Sequence, residues 1–416
     1  MLSEKFSVYK LVMVLHIVGA GPSGVTIAWC MAKRGEEVHL WEKRDLPGGS
    51  WWTPDHTESA DRHAARVLFR DSQPNWFNLL QEMGLDYNTY YKPEKEVITE
   101  SIKAMARSLT LRDHLVTAGV LISAGANQEW SKTTTLHDAL KGKMSSRGLS
   151  FINALATSVD GVAADRMTVW ELAESINRTF LSGAWTERVQ GRKLGEDLDR
   201  RLRAVGVHMH MGAKLLNLEP PHLAFAGGAD VTLHSRKDKV VLCLDPSAAL
   251  PYVEKFWGVR PEDVLYGTRS FLLKYPTRFN LPATQESLMS SNNSFIPSWV
   301  PGEGTTTLHV ADYNGGWRSV EHLVKTLGIP PPTSWQECED TQDMSSAVWT
   351  ARPIPTRSKH PQVHMVGMLS PRDTPYASVE AAAEVALRWC GERPLEPFKT
   401  STLALIAFII SLVTIV

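Results

Sequence analysis

The sequence has few cysteines and almost no net charge, and each shortage excludes a class of protein. The four cysteines lie far apart and form no C-x-x-C pair: Cys30, Cys243, Cys338 and Cys390. This spacing predicts neither a zinc site nor a disulfide framework, and it favours a reducing compartment. With 44 lysines and arginines against 45 aspartates and glutamates, the net charge of −1 creates no field that would attract a nucleic acid. We therefore expect no nucleic-acid partner.

Internal repeats are also lacking, and the composition is not that of a collagen-like or disordered chain. Hydrophobic residues make up 43% of the chain and charged residues 21%, which is typical of a globular protein. At roughly 100–200 residues per domain, the 416 residues suffice for two or three domains.

Long uncharged stretches are rare, and the one at the C-terminus, residues 400–416, carries no charge at all. As a helix at about 1.5 Å per residue it would be roughly 25 Å long, slightly short for an average bilayer core. The alternative is a terminal helix or strand buried in a soluble core. We favour a single-pass membrane anchor with the rest of the chain facing the cytosol, because the run would otherwise be an exposed apolar patch. The polar residues 1–10 and the run after them offer no signal-peptide cleavage site.

The chain opens with the pattern of a β-α-β unit. Residues 12–18 are apolar and predict a buried strand, residues 24–34 predict a helix that Gly35 ends, and residues 37–42 predict the next strand. The turn between the first strand and its helix reads Gly19-Ala-Gly21-Pro22-Ser23-Gly24.

This glycine-rich turn predicts a dinucleotide site. Gly19 permits a tight turn, Gly21 lets a pyrophosphate approach the backbone, and Gly24 lets the helix pack closely on the strand. The helix N-terminus offers N–H groups and a positive dipole to the phosphates. Glu42 ends the next strand, where its carboxylate can accept hydrogen bonds from ribose hydroxyls.

The residues after Glu42 narrow the choice of dinucleotide. The run Glu42-Lys43-Arg44-Asp-Leu-Pro-Gly48-Gly49-Ser50 resembles the continuation found in FAD-dependent oxidoreductases related to amine oxidases, phytoene desaturases and protoporphyrinogen oxidase. A second glycine pair lets the backbone pass close to a bulky cofactor, and an arginine can neutralise phosphate charge. The resemblance therefore implies FAD as the cofactor.

Two later segments resemble the same family in the same order. In residues 206–246 the resemblance implies that a backbone group of Leu215 reaches the adenine. In residues 363–382 it implies that Gly367, Met368, Ser378 and Val379 form the last flavin-contacting turn and helix, whose positive N-terminus would favour the reduced flavin anion.

The sequence departs from the family at several positions. Met368 and Leu369 stand where the family usually has an acidic residue, and Ser50 stands where it commonly has arginine. Where many amine oxidases have a lysine near flavin N5, the alignment gives Arg269. No catalytic residue is assigned, and the candidates are Arg269, Arg352 and Tyr376.

The middle of the chain adds strands and a pair of histidines. Residues 207–218, 230–234 and 239–244 predict strands, whereas residues 71–202 predict mainly helices. His208 and His210 alternate on the first of these strands, but no carboxylate or third histidine follows at matching spacing. We therefore predict no metal site there.

Together these patterns predict an α/β protein. A Rossmann-like, doubly wound FAD-binding domain would carry a mixed α+β substrate domain inserted twice, plus a C-terminal transmembrane helix. The boundaries we predict are 12–90, 206–250 and 350–395 for the FAD-binding domain, 91–205 and 251–349 for the substrate domain, and 400–416 for the anchor.

The predicted function is that of an FAD-dependent oxidoreductase of amine-oxidase type. It would remove a hydride from a C–N or C–C bond of an amine or lipophilic small molecule and pass the electrons to oxygen or another acceptor. One alternative is a flavin monooxygenase, which would need a second G-x-G-x-x-G that the sequence lacks. The other is a degenerate membrane-anchored FAD-binding interaction protein.

Overall fold

The computed structural model describes residues 13–49, 67–94, 109–160, 164–179, 182–187, 191–260, 269–277, 298–301, 306–312, 320–321, 324–325, 329–337, 353–376 and 378–399. Three sequence predictions lie outside these residues: Ser50, Arg352 and the anchor at 400–416. Among the described residues, no helix combines the length and apolar character needed to cross a membrane.

The described helices and strands are as follows. The helices are α1 (Pro22–Lys33), α2 (Pro74–Glu82), α3 (Tyr87–Tyr90), α4 (Leu111–Ala126), α5 (Gln128–Thr133), α6 (Leu136–Leu140), α7 (Ser146–Asp160), α8 (Val169–Thr179), α9 (Gly191–Ala204), α10 (Pro246–Trp257) and α11 (Val379–Trp389). The strands are β1 (Val14–Val18), β2 (Glu37–Glu42), β3 (Val67–Phe69), β4 (Tyr91–Glu94), β5 (Ala184–Glu187), β6 (His208–Met211), β7 (Leu215–Glu219), β8 (His222–Phe225), β9 (Asp230–Thr232), β10 (Lys239–Leu242), β11 (Arg269–Tyr275), β12 (Ser298–Pro301), β13 (Thr306–Asp312), β14 (Ser334–Glu337) and β15 (Val363–Met365).

A five-stranded parallel sheet forms the centre of the molecule, in the order β15-β10-β1-β2-β6. Its strands come from three separated parts of the chain. Leu15, Ile17, Val240 and Val241 are fully buried, as expected where a parallel sheet is covered on both faces. The predicted Rossmann-like α/β class is confirmed, while the domain boundaries stay a prediction.

Helices α1 and α11 pack against each other on one face of this sheet. Both carry small residues at the contact, and the Ser23 hydroxyl donates to the Ala382 carbonyl at 3.2 Å. Small side chains allow close approach, so α1 and α11 bring their N-termini to the same edge of the sheet.

The prediction of a single strand over residues 207–218 is wrong. The chain turns at Gly212, which has φ +73°, and it continues into β7, which belongs to a separate antiparallel sheet of order β7-β8-β9. Backbone hydrogen bonds hold the turn to the end of β2, since Gly212 N–H donates to the Arg44 carbonyl and Ala213 N–H to the Glu42 carbonyl, both at 2.8 Å.

The mainly helical segment predicted over residues 71–202 also contains two strands. β4 and β5 pair antiparallel and form a three-stranded sheet with β3, in the order β3-β5-β4. The strands are only four residues long, and among the described strands β4 pairs only with β5, an edge position that tolerates Pro93. The remaining strands form an antiparallel sheet of order β12-β13-β11-β14.

Candidate functional site

A cleft of about 550 Å³ opens at the carboxyl ends of β1, β2 and β10. This is where ligands bind in open α/β sheets. Its walls come from distant parts of the chain: Val18, Gly19, Gly21, Pro22, Ser23, Trp41, Glu42, Lys43, Arg44, Gly49, Ala213, Lys214, Leu215, Cys243, Leu244, Asp245, Pro246, Ala248, Pro251, Tyr252, Gly367, Met368, Ser378, Val379 and Ala382.

The glycine-rich turn is too tightly packed for side chains at two of its positions. Gly19 has φ +101°, and a Cβ there would lie 2.4 Å from the Cys243 carbonyl oxygen. A Cβ on Gly24 would lie 1.9 Å from the Gly19 carbonyl oxygen. Gly24 therefore supports the turn from behind rather than lining the cleft. Helix α1 begins at once, with Gly21 as an N-cap that has no side chain to bond the first N–H groups.

Glu42 is buried at the end of β2 and fixes two loops. Its carboxylate accepts from the Ala20 N–H at 2.7 Å and from the Arg44 N–H at 3.1 Å. One carboxylate thereby joins the glycine-rich turn to the loop that follows β2. The same side chain also lines the cleft.

The second glycine pair lies directly against the first turn. Gly48 N–H donates to the Ala20 carbonyl at 2.8 Å. Gly49 has φ +59°, and a Cβ there would come within 2.9 Å of the Gly21 Cα. Arg44 donates from Nη1 to the Gly49 carbonyl at 3.3 Å and lines the cleft. Gly48 supports the loop without lining the cleft.

A second helix N-terminus meets the same cleft. Ser378 is the N-cap of α11, and its hydroxyl accepts from the Ala381 N–H at 3.1 Å. Ser378 and Val379 line the cleft together with Gly367 and Met368. Two helix dipoles therefore present positive ends to one space, an arrangement that suits a ligand carrying negative charge at two places.

Apart from Gly24, Gly48 and Ser50, every predicted cofactor-binding residue lines this cleft. Sequence reasoning missed the wall that follows β10, including Cys243, Asp245 and Pro246. Burial raises the pKa of the Cys243 thiol above its usual range, so the side chain stays neutral. A signal was present in the sequence, because β10 was a predicted strand and its carboxyl end belongs at the same edge as β1.

Of the three catalytic candidates, the two within the described residues are absent from the cleft walls. Arg269 begins β11 in the antiparallel sheet, and Arg352 lies outside the described residues. Tyr376 is 6% exposed and is absent from the cleft walls. Burial raises the pKa of Tyr376, whose hydroxyl is close to Ser72 and Gln73.

The first turn of α11 carries a buried carboxylate, Glu380, that the sequence analysis did not single out. Glu380 is 1% exposed and accepts from the backbone N–H groups of Asn75 and Trp76 at 3.0 and 3.1 Å. It thus caps the N-terminus of α2 from another helix. Burial raises its pKa to about 7, although the hydrogen bonds from Asn75 and Trp76 oppose the shift.

The part of the chain that contains the glycine-rich turn matches a known family. The family described as "NAD(P)-binding Rossmann-like domain" matches residues 17–83. Thiamine thiazole synthase from Thermotoga maritima is 56% identical over 95 residues, 22% of this chain and 32% of that protein. An N-oxide-forming dimethylaniline monooxygenase of Homo sapiens is 38% identical over 56 residues, 14% of this chain and 10% of that protein. The chain thus matches well under two thirds of either relative.

Similarity to solved structures extends over most of the chain. An oxidoreductase from Methanosarcina mazei has a TM-score of 0.62 at 14% identity, covering 91% of this chain and 100% of that one. Putrescine oxidase bound to putrescine has a TM-score of 0.55 at 16% identity, covering 92% and 98%. Cyclohexylamine oxidase from Brevibacterium oxydans has a TM-score of 0.55 at 14% identity, covering 91% and 99%. The chain therefore has the fold of these amine oxidases, and the predicted resemblance is confirmed at that level.

Proposed function

We propose that the protein is an FAD-dependent oxidoreductase of amine-oxidase type, which removes a hydride from a C–N or C–C bond of a small molecule. One observation carries the proposal. A single cleft collects the N-terminus of α1, the carboxylate of Glu42 and the N-terminus of α11 from opposite ends of the chain. The fold shared with putrescine oxidase and cyclohexylamine oxidase supports it.

The residues present fit an extended dinucleotide. Gly21 and Gly49 approach so closely that a Cβ on Gly49 would collide with the Gly21 backbone, and they leave a smooth wall where a pyrophosphate could lie. Glu42 would accept from ribose hydroxyls, while the N–H groups of α1 and Arg44 would offset phosphate charge. Leu215 would face the adenine end, and Ser378 and Val379 the isoalloxazine end.

Bound FAD would supply the redox chemistry by accepting a hydride at N5. The chain's own residues would bind and orient the cofactor and the substrate, and would exclude water from them. The positive end of α11 lines the cleft and would stabilise negative charge on a reduced flavin bound there. Met368, in place of the family's usual acid, lines the same wall without adding negative charge.

The substrate class follows from the fold rather than from an identified pocket. We propose an amine or another lipophilic small molecule, with electrons passed to oxygen or a second acceptor. A smaller cavity of about 140 Å³ shares Met368 with the cleft and also contacts Trp170 and Pro353. It lies between the proposed flavin end and helix α8.

The test starts with the full chain purified in detergent. We expect flavin absorption bands and release of FAD on acid treatment. Anaerobic addition of amines should bleach the bands when a substrate is found, and oxygen should restore them. A folded protein that is colourless and takes up no added FAD would overturn the proposal and leave the interaction-protein alternative.

A flavin monooxygenase is the second candidate, and the match to the dimethylaniline monooxygenase motivates it. That match covers 56 residues, 14% of this chain. The two candidates differ in their reductant. Bleaching by NADPH without an amine would favour the monooxygenase, whereas bleaching by an amine alone would favour the oxidase.

We further propose that residues 400–416 anchor the protein in a membrane with the flavin-binding part facing the cytosol. The uncharged sequence of this segment supports the proposal. The full chain should sediment with membranes and resist carbonate extraction, while a chain lacking residues 400–416 should not. Equal solubility of both chains would contradict the anchor.

A further inference from the structure

A ladder of histidines crosses the central sheet outside the cofactor cleft. His16 on β1 pairs in register with His39 on β2, and His39 pairs in register with His208 on β6. The imidazole of His39 stacks between the other two rings, with centroid distances of 5.0 Å to His16 and 4.7 Å to His208. His210 lies two residues after His208 on the same face of β6.

A carboxylate completes this cluster at its solvent side. Glu37 lies two residues before His39 on the same strand face, and its Oε1 is 3.1 Å from His39 Nε2. One ligand atom from each of Glu37, His39 and His208 lies within 4.8 Å of those of the other two. Glu37 and His208 are exposed and His39 is half-buried, so an ion can enter from solvent.

We propose that Glu37, His39 and His208 bind a divalent transition-metal ion, with Zn²⁺ as the representative ion. Two imidazoles and a carboxylate are ligands that Zn²⁺ accepts, leaving a fourth position for water. Tetrahedral Zn²⁺ places its ligand atoms about 3.4 Å apart, so side-chain rotations of exposed Glu37 and His208 are enough to close the site. The proposed flavin chemistry does not require this ion.

The surroundings of His39 are those of a metal-ligating histidine. Its Nε2 faces Glu37, and its Nδ1 lies 3.0 Å from His210 Nε2. A ligating histidine normally donates its other N–H to a partner that fixes the ring. Nε2 of His210 can accept that N–H, which leaves Nε2 of His39 for the ion.

Sequence reasoning missed this site because it searched for ligands near His208 along the chain. The missing histidine and carboxylate stand 169 and 171 residues earlier in the numbering, on the neighbouring parallel strand. Only the sheet order places them together.

The ion would link β6, at the edge of the central sheet, to β2. Among the described strands, β6 pairs only with β2 in this sheet. The chain leaves β6 through Gly212 and goes directly to Ala213, Lys214 and Leu215 in the wall of the cofactor cleft. Metal binding would therefore hold in place the strand that leads into the predicted adenine end.

The test titrates Zn²⁺ alone into the full chain, carrying its cofactor, after treatment with a chelator. We expect about one ion per chain. His208→Ala and Glu37→Gln, at exposed positions that tolerate substitution, should each weaken binding at least tenfold. His210→Phe, which keeps a ring against Trp41 but cannot accept from His39, should weaken it about 10- to 100-fold. His222→Ala, at an exposed strand histidine elsewhere, should bind as the parent chain does.

Two further readouts separate a site from scattered surface binding. Cu²⁺ bound to the parent chain should show two nitrogen ligands by electron paramagnetic resonance, and one in His208→Ala. Zn²⁺ should raise the Tm of the parent chain and of His222→Ala, but not that of His208→Ala. Absence of Zn²⁺ binding, or equal affinity in His208→Ala, would overturn the proposal and leave the histidines as a packing feature.

Discussion

At the scale of single residues, alanine substitutions at Gly49 and Gly35 form a matched pair. Both would strain the backbone, but only the one at Gly49 would also disturb the cofactor cleft. Both have positive φ, +59° and +79°, but a Cβ on Gly35 meets nothing within 4 Å, whereas one on Gly49 meets the Gly21 backbone. Alanine in this conformation costs about 1–2 kcal/mol at either position. We expect Gly49→Ala, and not Gly35→Ala, also to lose FAD, measured as flavin absorbance per chain. Equal flavin content in both variants would contradict the role of Gly49.

Glu42 should matter to cofactor affinity because one carboxylate positions both loops of the cleft. Hydrogen bonds to charged groups contribute about 1.5–3 kcal/mol each, so Glu42→Gln should weaken FAD binding by one to two orders of magnitude. Fluorescence titration of the apoprotein with FAD measures this. Glu196→Gln, at a surface glutamate of α9, is the control and should bind FAD normally. An unchanged affinity in Glu42→Gln would remove that residue from the site.

Glu380 should make stability depend on pH in an unusual direction. Its pKa is raised to about 7 in the folded chain from an ordinary 4.5, so the folded state holds the proton more tightly. The stabilisation is fully present below pH 4.5 and is lost as the pH rises through 7, roughly 3 kcal/mol in all. Urea unfolding between pH 5 and 8 should show the parent chain losing stability relative to Glu380→Gln. Parallel curves would show that the carboxyl does not titrate there.

These residues also show how far the sequence alone can predict a site. Gly19, Gly21, Gly24 and Glu42 were predictable because their roles depend on a contiguous strand-turn-helix-strand segment. The cap that Glu380 provides was not, because its donors on α2 are about 300 residues away in the chain. Reasoning from spacing finds local geometry and misses pairs that only the fold joins.

At the scale of elements, helix α9 should control the cleft through the loop it supports. A Cβ on Gly195 would lie 2.7 Å from the Pro47 carbonyl oxygen, next to the second glycine pair. We expect Gly195→Ala to push this loop and weaken FAD binding about tenfold, although Gly195 lines no part of the cleft. FAD titration measures the effect.

Gly119→Ala is the matched control, since Gly119 is exposed in helix α4 and a Cβ there meets nothing within 4 Å. It should leave FAD affinity unchanged and stabilise the chain by about 0.5–1 kcal/mol. If Gly195→Ala behaved in the same way, the loop would not depend on α9.

The ends of β1, α1 and β2 were predictable to within a few residues because apolar runs mark the strands and Gly35 marks the end of the helix. The break between β6 and β7 was not predicted, since the sequence does not show whether Gly212 continues a strand or forms a turn. Strands β4 and β5 were missed for a different reason. Four-residue strands carry little periodicity, and their pairing is set by partners about 90 residues away in the chain.

At the scale of the whole molecule, the order in which the chain builds the central sheet is the feature that sequence patterns support least. Strand β1 pairs with β10, whose residues lie about 220 positions later in the chain, and β10 pairs with β15, about 120 positions later again. Parallel strands can pair at any large separation along the chain. A local sequence pattern therefore predicts where a strand lies in the chain but not which strands it pairs with in the sheet. The resemblance to a known family implied that separated segments build the FAD-binding domain, but the order of the strands comes from the structure.

The same interleaving predicts that FAD should stabilise distant segments together. The cleft walls draw residues from within 19–23, 213–215, 243–246 and 378–382, so a ligand that fills the cleft would contact the segments after β1, β6 and β10 and the start of α11. Binding at 100 times Kd contributes about 2.7 kcal/mol to the folded state. Hydrogen exchange of the apoprotein with and without FAD should show protection in all four segments and little change in helix α4. Protection confined to residues 17–83 would mean that the later segments form no part of the site.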